Sequence, residues 1–117
     1  MPTNLTCLTG GFLERGALRH TPAGIPVVEF VLEHRSTQLE AGMARKVDCL
    51  MDCLAMGTLA QLLTGAKLGG ALQVTGFLAA RSLKRKTPVL HVNTIDFLEG
   101  NKDGIQTERQ GRPQGQE

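Results

Sequence analysis

The chain has 117 residues, 41% of them hydrophobic, a net charge of +2 and three cysteines, which fits one domain whose core needs no disulfide staples. An odd number of cysteines without a Cys-x-x-Cys pair argues for a reducing cytoplasm, and Met1-Pro2-Thr3-Asn4 does not open a signal peptide. No apolar run approaches the roughly 20 residues of a membrane helix.

Leu5-Thr6-Cys7-Leu8-Thr9 alternates and meets Gly10-Gly11, the mark of a bulge or bend, before Phe12-Leu13-Glu14-Arg15 resumes. One bent first strand is predicted. Thr21-Pro22-Ala23-Gly24-Ile25-Pro26 reads as a rigid turn, because its prolines fix φ and neither fits a central ladder. The second strand runs from Val27 to about Thr37, with Val28, Phe30 and Leu32 on one face and Glu29, Glu33 and Arg35 on the other. Val27 and Val31, exposed on that outer side, hint at a covered face. Gln38-Leu39-Glu40-Ala41-Gly42 makes a hairpin connection, with Gly42 available for positive φ. A third strand starts near Ala44. Its Val47, Cys49, Met51 and Cys53 share a face expected in the core, while Lys46, Asp48 and Asp52 share the other and Leu50 breaks the pattern.

Met56, Leu59, Leu62 and Leu63 fall at helical spacing, so Gly57 to about Thr64 is expected to form a short amphipathic helix ended by Gly65. Ala71 to Leu78 is a fourth strand with Gly76 inside it, again a bend or bulge signal. The basic run Arg81-Ser82-Leu83-Lys84-Arg85-Lys86 separates it from a fifth strand, Val89 to Leu98, whose apolar phase slips between Val92 and Ile95 and so predicts a bulge. Residues 99–117 hold almost nothing to bury and are expected to form a disordered tail beyond a domain of residues 1–98. The architecture is mainly β: a five-stranded OB-fold barrel with one short helix between strands three and four, a scaffold whose face and loops bind single-stranded nucleic acid.

Charge divides unevenly, residues 1–98 carrying +3 and residues 99–117 carrying −1. Four of the cations crowd into Arg81–Lys86, a density that attracts polyanions although such runs are more often merely solvated. With no Trp and no Tyr, stacking on bases falls to four Phe and three His. Phe30 and Phe77 are expected in the core; Phe12, just after the double glycine, is the one that can turn outward.

Thr21-Pro22-x-Gly24-Ile25-Pro26, Phe30-Val31-Leu32-Glu33-His34-Arg35-Ser36, Glu40-Ala41-Gly42, Cys49 and Met51, Val74-Thr75-Gly76-Phe77 and Val89-Leu90-His91 together resemble the primosomal replication protein N (PriB) family of single-strand DNA-binding-like OB-fold proteins. The resemblance spans about residues 4–98. It implies a homodimer that binds single-stranded DNA without catalysis and joins the PriA helicase and DnaT in reloading the replicative helicase at stalled forks. It also carries a DNA face onto Arg19, Arg35 and Arg45 on the strands and Arg81, Lys84, Arg85 and Lys86 in the loop. Arg35 and Arg45 are placed to flank one groove, and pairing across the hairpin with Glu33 or Glu40 explains them as well. Where the family pattern often has an aromatic before the cysteine of strand three, this chain has Asp48. A lost stacking platform costs ~1–3 kcal/mol per base, so weak, strongly salt-dependent binding is expected.

No catalytic constellation is present: Gly69-Gly70 precedes a strand rather than a helix, and no Ser/His/Asp set has a recognisable context. Cys49 and Cys53 lie roughly 13 Å apart along a strand, so they cannot share a zinc ion. The cysteines are expected as buried small hydrophobes, His34 and His91 as structural imidazoles, and His20 as exposed; no cofactor or metal is implied. A protein–protein adaptor that recruits a helicase, with secondary nucleic-acid contact, competes with DNA binding, and an RNA-binding OB module is the third possibility.

Overall fold

The computed structural model describes residues 1–98, so the expected tail, 99–117, lies outside the described residues. In chain order come β1 (Thr6–Arg15), β2 (Arg19–His20), β3 (Pro26–Glu40), β4 (Met43–Met56), α1 (Thr58–Thr64), β5 (Ala71–Ala80) and β6 (Pro88–Leu98). The long strands and the helix stand where the apolar periods put them. β2 is the element those periods do not reveal, because two residues carry no period.

Pairing runs β1–β3, β3–β4, β4–β6, β6–β5 and β5–β1, a circuit that returns to its starting strand. All but one of these contacts are antiparallel. The exception, β4–β6, is parallel and joins only Cys53 to Leu90 and Leu54 to His91, so closure is thin, as in a partly open barrel. β1 serves two neighbours: Thr6–Gly11 pair with β5 and Gly11–Arg15 with β3. The irregularity expected at the double glycine falls instead at Leu13, between Phe12 and Glu14. Gly10 has a different task, since a Cβ there would lie 2.6 Å from the Glu33 carbonyl oxygen; no side chain fits where β1 crosses β3.

Val28, Phe30 and Leu32 are buried together as their period requires, and Phe12 turns inward to meet Phe30 edge to face, with ring centroids 5.6 Å apart. The helix buries Ala60 and Leu63, whereas Leu62 and Met56 are half exposed, so its apolar stripe is turned from the one expected. Gly65 ends the helix as expected, its N–H donating to the Leu62 carbonyl, and Arg15 secures that end. Its Nη1 donates to the carbonyls of Leu63 and Ala66 at 3.0 and 2.6 Å, and its guanidinium lies 5.7 Å from the Phe12 ring centroid. Cationic donors satisfy orphan carbonyls and suit the negative helix end. Arg15→Met should therefore lower stability by about 1–2 kcal/mol, read from the urea midpoint.

β3 and β4 remain paired from Val27↔Met56 to Glu40↔Met43 around Ala41–Gly42, whose φ values of 52° and 79° give the double left-handed turn that matches strand twist. Beyond Gly11↔Glu33 β1 no longer covers β3, and the hairpin continues as a two-stranded ribbon. This corrects two expectations. Cys49 is exposed, and Val47 and Met51 are only partly buried, because the barrel ends beneath them; Cys53 alone of that face is fully core. Val27 is buried beside β2, and Val31 is half-buried rather than exposed.

Candidate nucleic-acid interface

Residue parity along β3 and β4 defines the outer face of the barrel. Glu29, Val31, Glu33 and Arg35 stand opposite Leu54, Asp52, Leu50 and Asp48, on the side away from the buried Val28, Phe30 and Leu32. A cleft of about 240 Å³ opens on this face, walled by Glu14, Glu29, Asp52, Arg15 and Arg81 over Phe30, Val31 and Cys53.

Glu29 brings two of the predicted cations together. Its Oε2 accepts from Arg19 at 2.6 Å and its Oε1 from Arg81 at 3.4 Å, while Arg81 donates its other nitrogen to Asp52 Oδ2 at 2.5 Å. A chain of charges thus links β2, β3, β4 and the start of the β5–β6 loop. Arg81 is the least exposed of these cations. It acts as the loop's anchor, its amide also donating to the Thr87 carbonyl at 3.0 Å.

Arg35 pairs with Glu33 at 3.0 Å and Asp48 at 3.6 Å, and Arg45 with Glu40 at 2.9 Å. The two do not flank one groove. Arg35 lies opposite Asp48 and Arg45 opposite Gln38, which puts them on opposite faces of the ribbon, because period-two parity separates them. Lys84, Arg85 and Lys86 behave differently: all three are exposed, and among the described residues no carboxylate is paired with any of them. Their loop is closed at the tip, with Ser82 N–H donating to the Arg85 carbonyl and Arg85 N–H to Ser82 Oγ at 3.1 and 3.0 Å.

Sequence reasoning missed the acidity of the cleft, since Glu14 joins Glu29 and Asp52 only after Leu13 bulges out of β1. It also misplaced Phe77, which is 37% exposed and stacks on His91 with centroids 5.2 Å apart and planes 19° apart. The bulge predicted in the last strand is present, Thr75 facing Thr94 and Gly76 facing Val92, while Phe77 and His91 lie outside because each alternates with buried neighbours, Val74 and Gly76 on β5 and Leu90 and Val92 on β6. His34 is the satisfied imidazole expected, Nδ1 at 2.6 Å from the Thr9 carbonyl and Nε2 at 2.7 Å from Ser36 Oγ.

Cys53, on the cleft floor, is buried, and that burial together with the Asp52 carboxylate pushes its thiol from 9.0 up to about 12. Because the folded value lies above the unfolded one, this group favours the fold below pH 9 and withdraws that support as pH rises toward 12. Cys7 and Cys49 are exposed, against expectation. A thiol reagent at about pH 8 should label these two in the native protein and reach Cys53 only on unfolding.

Comparison with known proteins decides the lineage. Residues 4–94 match the model of "another single-strand binding protein family", and the chain is 49% identical over 94 residues to the replication restart protein PriB of Bordetella pertussis, covering 80% of this chain and 88% of that one. The chain belongs to the PriB family. A second PriB relative, from Photorhabdus laumondii, is 38% identical over 102 residues, 85% of this chain and 97% of the relative. The solved structure of priB from Ralstonia solanacearum superposes with a TM-score of 0.74 at 30% identity, spanning 82% of this chain and 99% of that one. A deletion mutant of the single-stranded DNA binding protein from Thermus aquaticus shares the fold, with a TM-score of 0.72 at 24% identity over 85% of this chain and 52% of that one. PriB proteins belong among binders, not catalysts, and the fold is that of single-strand binding proteins. No helix among the described residues is long and apolar enough to cross a membrane.

Proposed function

We propose that the chain binds single-stranded DNA in replication restart, making its main contact through Lys84, Arg85 and Lys86. The observation that carries this is the state of that loop: three exposed cations without carboxylate partners among the described residues, rooted at Arg81 on the rim of the cleft. The names of the PriB relatives and the single-strand-binding fold agree with it. Arg19, Arg35 and Arg45 add to the field and exchange carboxylate for phosphate when DNA arrives, exposed ion pairs being worth only ~0–1 kcal/mol. By family likeness the chain works as a cytoplasmic homodimer with the PriA helicase and DnaT, as an accessory in reloading the replicative helicase.

The test is an anisotropy titration of a labelled oligonucleotide at two salt concentrations. Each phosphate contact on a single strand contributes roughly −0.7 to the log–log slope, so three or four contacts predict a slope of about −2 to −3. Affinity that barely changes with salt would remove the electrostatic basis, and competition by RNA of equal length reports the choice of polymer. The adaptor reading has an observation of its own, since three carboxylates, Glu14, Glu29 and Asp52, line the cleft against two arginines, Arg15 and Arg81, and Glu14 has no basic partner among the described residues, a balance that suits a basic protein segment better than phosphate.

A further inference from the structure

We infer that Phe77 and His91 form a base-stacking platform on the outer face of β5 and β6, displaced from the acidic β3–β4 face. This rests on the single-strand-binding reading and names the residues that would hold a base. Stacking needs an exposed aromatic face, and the chain has no Trp or Tyr. Phe12 and Phe30 are sealed in the core against each other, and Phe97 sits opposite Leu72, toward the end of the sheet away from the basic loop. Phe77 remains. Its ring is 37% exposed, lies nearly parallel to the His91 imidazole, and faces it directly across the ladder.

The backbone fixes this pair. At Gly76 a Cβ would stand 1.9 Å from the His91 carbonyl oxygen, so only glycine lets β6 come so close beside the bulge. Asn4 holds the next residue from the other side, its Nδ2 donating to the Leu78 carbonyl at 2.8 Å and its Oδ1 accepting from the Leu78 N–H at 2.9 Å. Phe77 is thus clamped between two ordered neighbours, which keeps the entropic cost of presenting a flat ring low.

Position links the platform to charge. Phe77 and Arg81 share strand parity and are about 13 Å apart along the chain, and the loop that starts at Arg81 carries the three cations that have no carboxylate partner among the described residues. His91 faces Leu54, whose other neighbour is Glu29, so the platform adjoins the cleft without lying in it. A strand whose phosphates follow the loop can lay a base on Phe77 and avoid Glu14, Glu29 and Asp52.

Phe77→Leu keeps apolar bulk and removes the ring, while Phe77→Trp installs the chain's first indole. With oligonucleotides carrying either normal bases or abasic residues at equal length and charge, wild type should bind the normal strand roughly tenfold more tightly. Phe77→Leu should lose that preference and keep its affinity for the abasic strand. In Phe77→Trp, emission should be quenched at saturation, whereas Phe97→Trp, near the opposite end of β6, should respond little. If Phe77→Leu retains the wild-type preference, or the indole emission of Phe77→Trp ignores saturating DNA, the platform is refuted while single-strand binding stands. If wild type binds neither strand, the binding reading fails and takes this one with it. Should sedimentation show that Phe77→Leu dissociates an otherwise stable dimer, the face is an interface between copies and the platform is likewise overturned.

Discussion

Replacing Lys84, Arg85 and Lys86 together with glutamate (K84E/R85E/K86E) is expected to weaken single-stranded DNA binding by at least about 100-fold at low salt and to flatten its salt dependence. Three phosphate contacts account for a slope near −2, so their loss should leave a residual slope close to zero. The magnitude follows from two additive effects, since each substitution removes a cation and adds a repulsive charge. The loop is the place where this acts in full. Arg19, Arg35, Arg45 and Arg81 already face carboxylates, so reversing one of them also frees a repulsive acid and breaks a local ion pair, which mixes the lost contact with other effects. The fold should be unaffected, because the three side chains are exposed and the loop's own closure runs through backbone groups and Ser82. Anisotropy with a labelled oligonucleotide reads the affinity, and a melting scan checks that stability stays within about 0.5 kcal/mol of wild type. An unchanged affinity would move the DNA contact elsewhere on the molecule; retained binding to a helicase partner would separate the accessory role from the adaptor role.

How much of this was legible in the sequence depended on whether the signal was local. Val28, Phe30 and Leu32 announced their burial because period two is a property of one strand. The slip between Val92 and Ile95 announced a bulge for the same reason, and the register bears it out. Phe77 was misplaced although its own strand pointed it outward: it shares parity with Gln73 and Thr75, opposite the buried Leu72 and Val74, so its apolar character was followed instead of its phase. Cys49 failed differently: its strand face is indeed the core face, but whether a face is covered is decided by where β1 stops, at Gly11↔Glu33. The cations show the same limit. Each arginine is plain in the sequence, yet the meeting of Arg19 and Arg81 on Glu29 joins residues 52 apart in one pair and 10 in the other, and only the closed circuit of strands brings them together. The loop cations, which depend on no such convergence, were legible as a cluster from the start.

Gly76→Ala should be the most damaging single-methyl change in the molecule. The added Cβ would meet the His91 carbonyl oxygen at 1.9 Å, with the carbonyl carbon at 2.9 Å and Val92 Cα at 3.0 Å behind it. All three are backbone atoms, so no rotamer can relieve the clash and β6 itself must move. It has little freedom to do so, because His91 and Leu90 are also the residues through which β6 closes the barrel against Leu54 and Cys53. Pushing β6 away therefore opens the thinnest seam of the circuit as well as the β5–β6 ladder, and the lining of that seam, Leu90 and Val74, is fully buried. Overpacking alone costs about 1–3 kcal/mol; with the seam strained too, a loss of roughly 3–4 kcal/mol is expected, which is a fall in melting temperature of about 15 °C or more. Gly11→Ala is the matched control, another β-strand glycine whose added Cβ meets nothing within 4 Å, and it should change stability by less than about 1 kcal/mol. A melting scan of the two variants beside wild type decides the matter. Equal stability of Gly76→Ala and Gly11→Ala would mean that β5 and β6 are not held in the close register on which both the barrel seam and the Phe77–His91 stack depend.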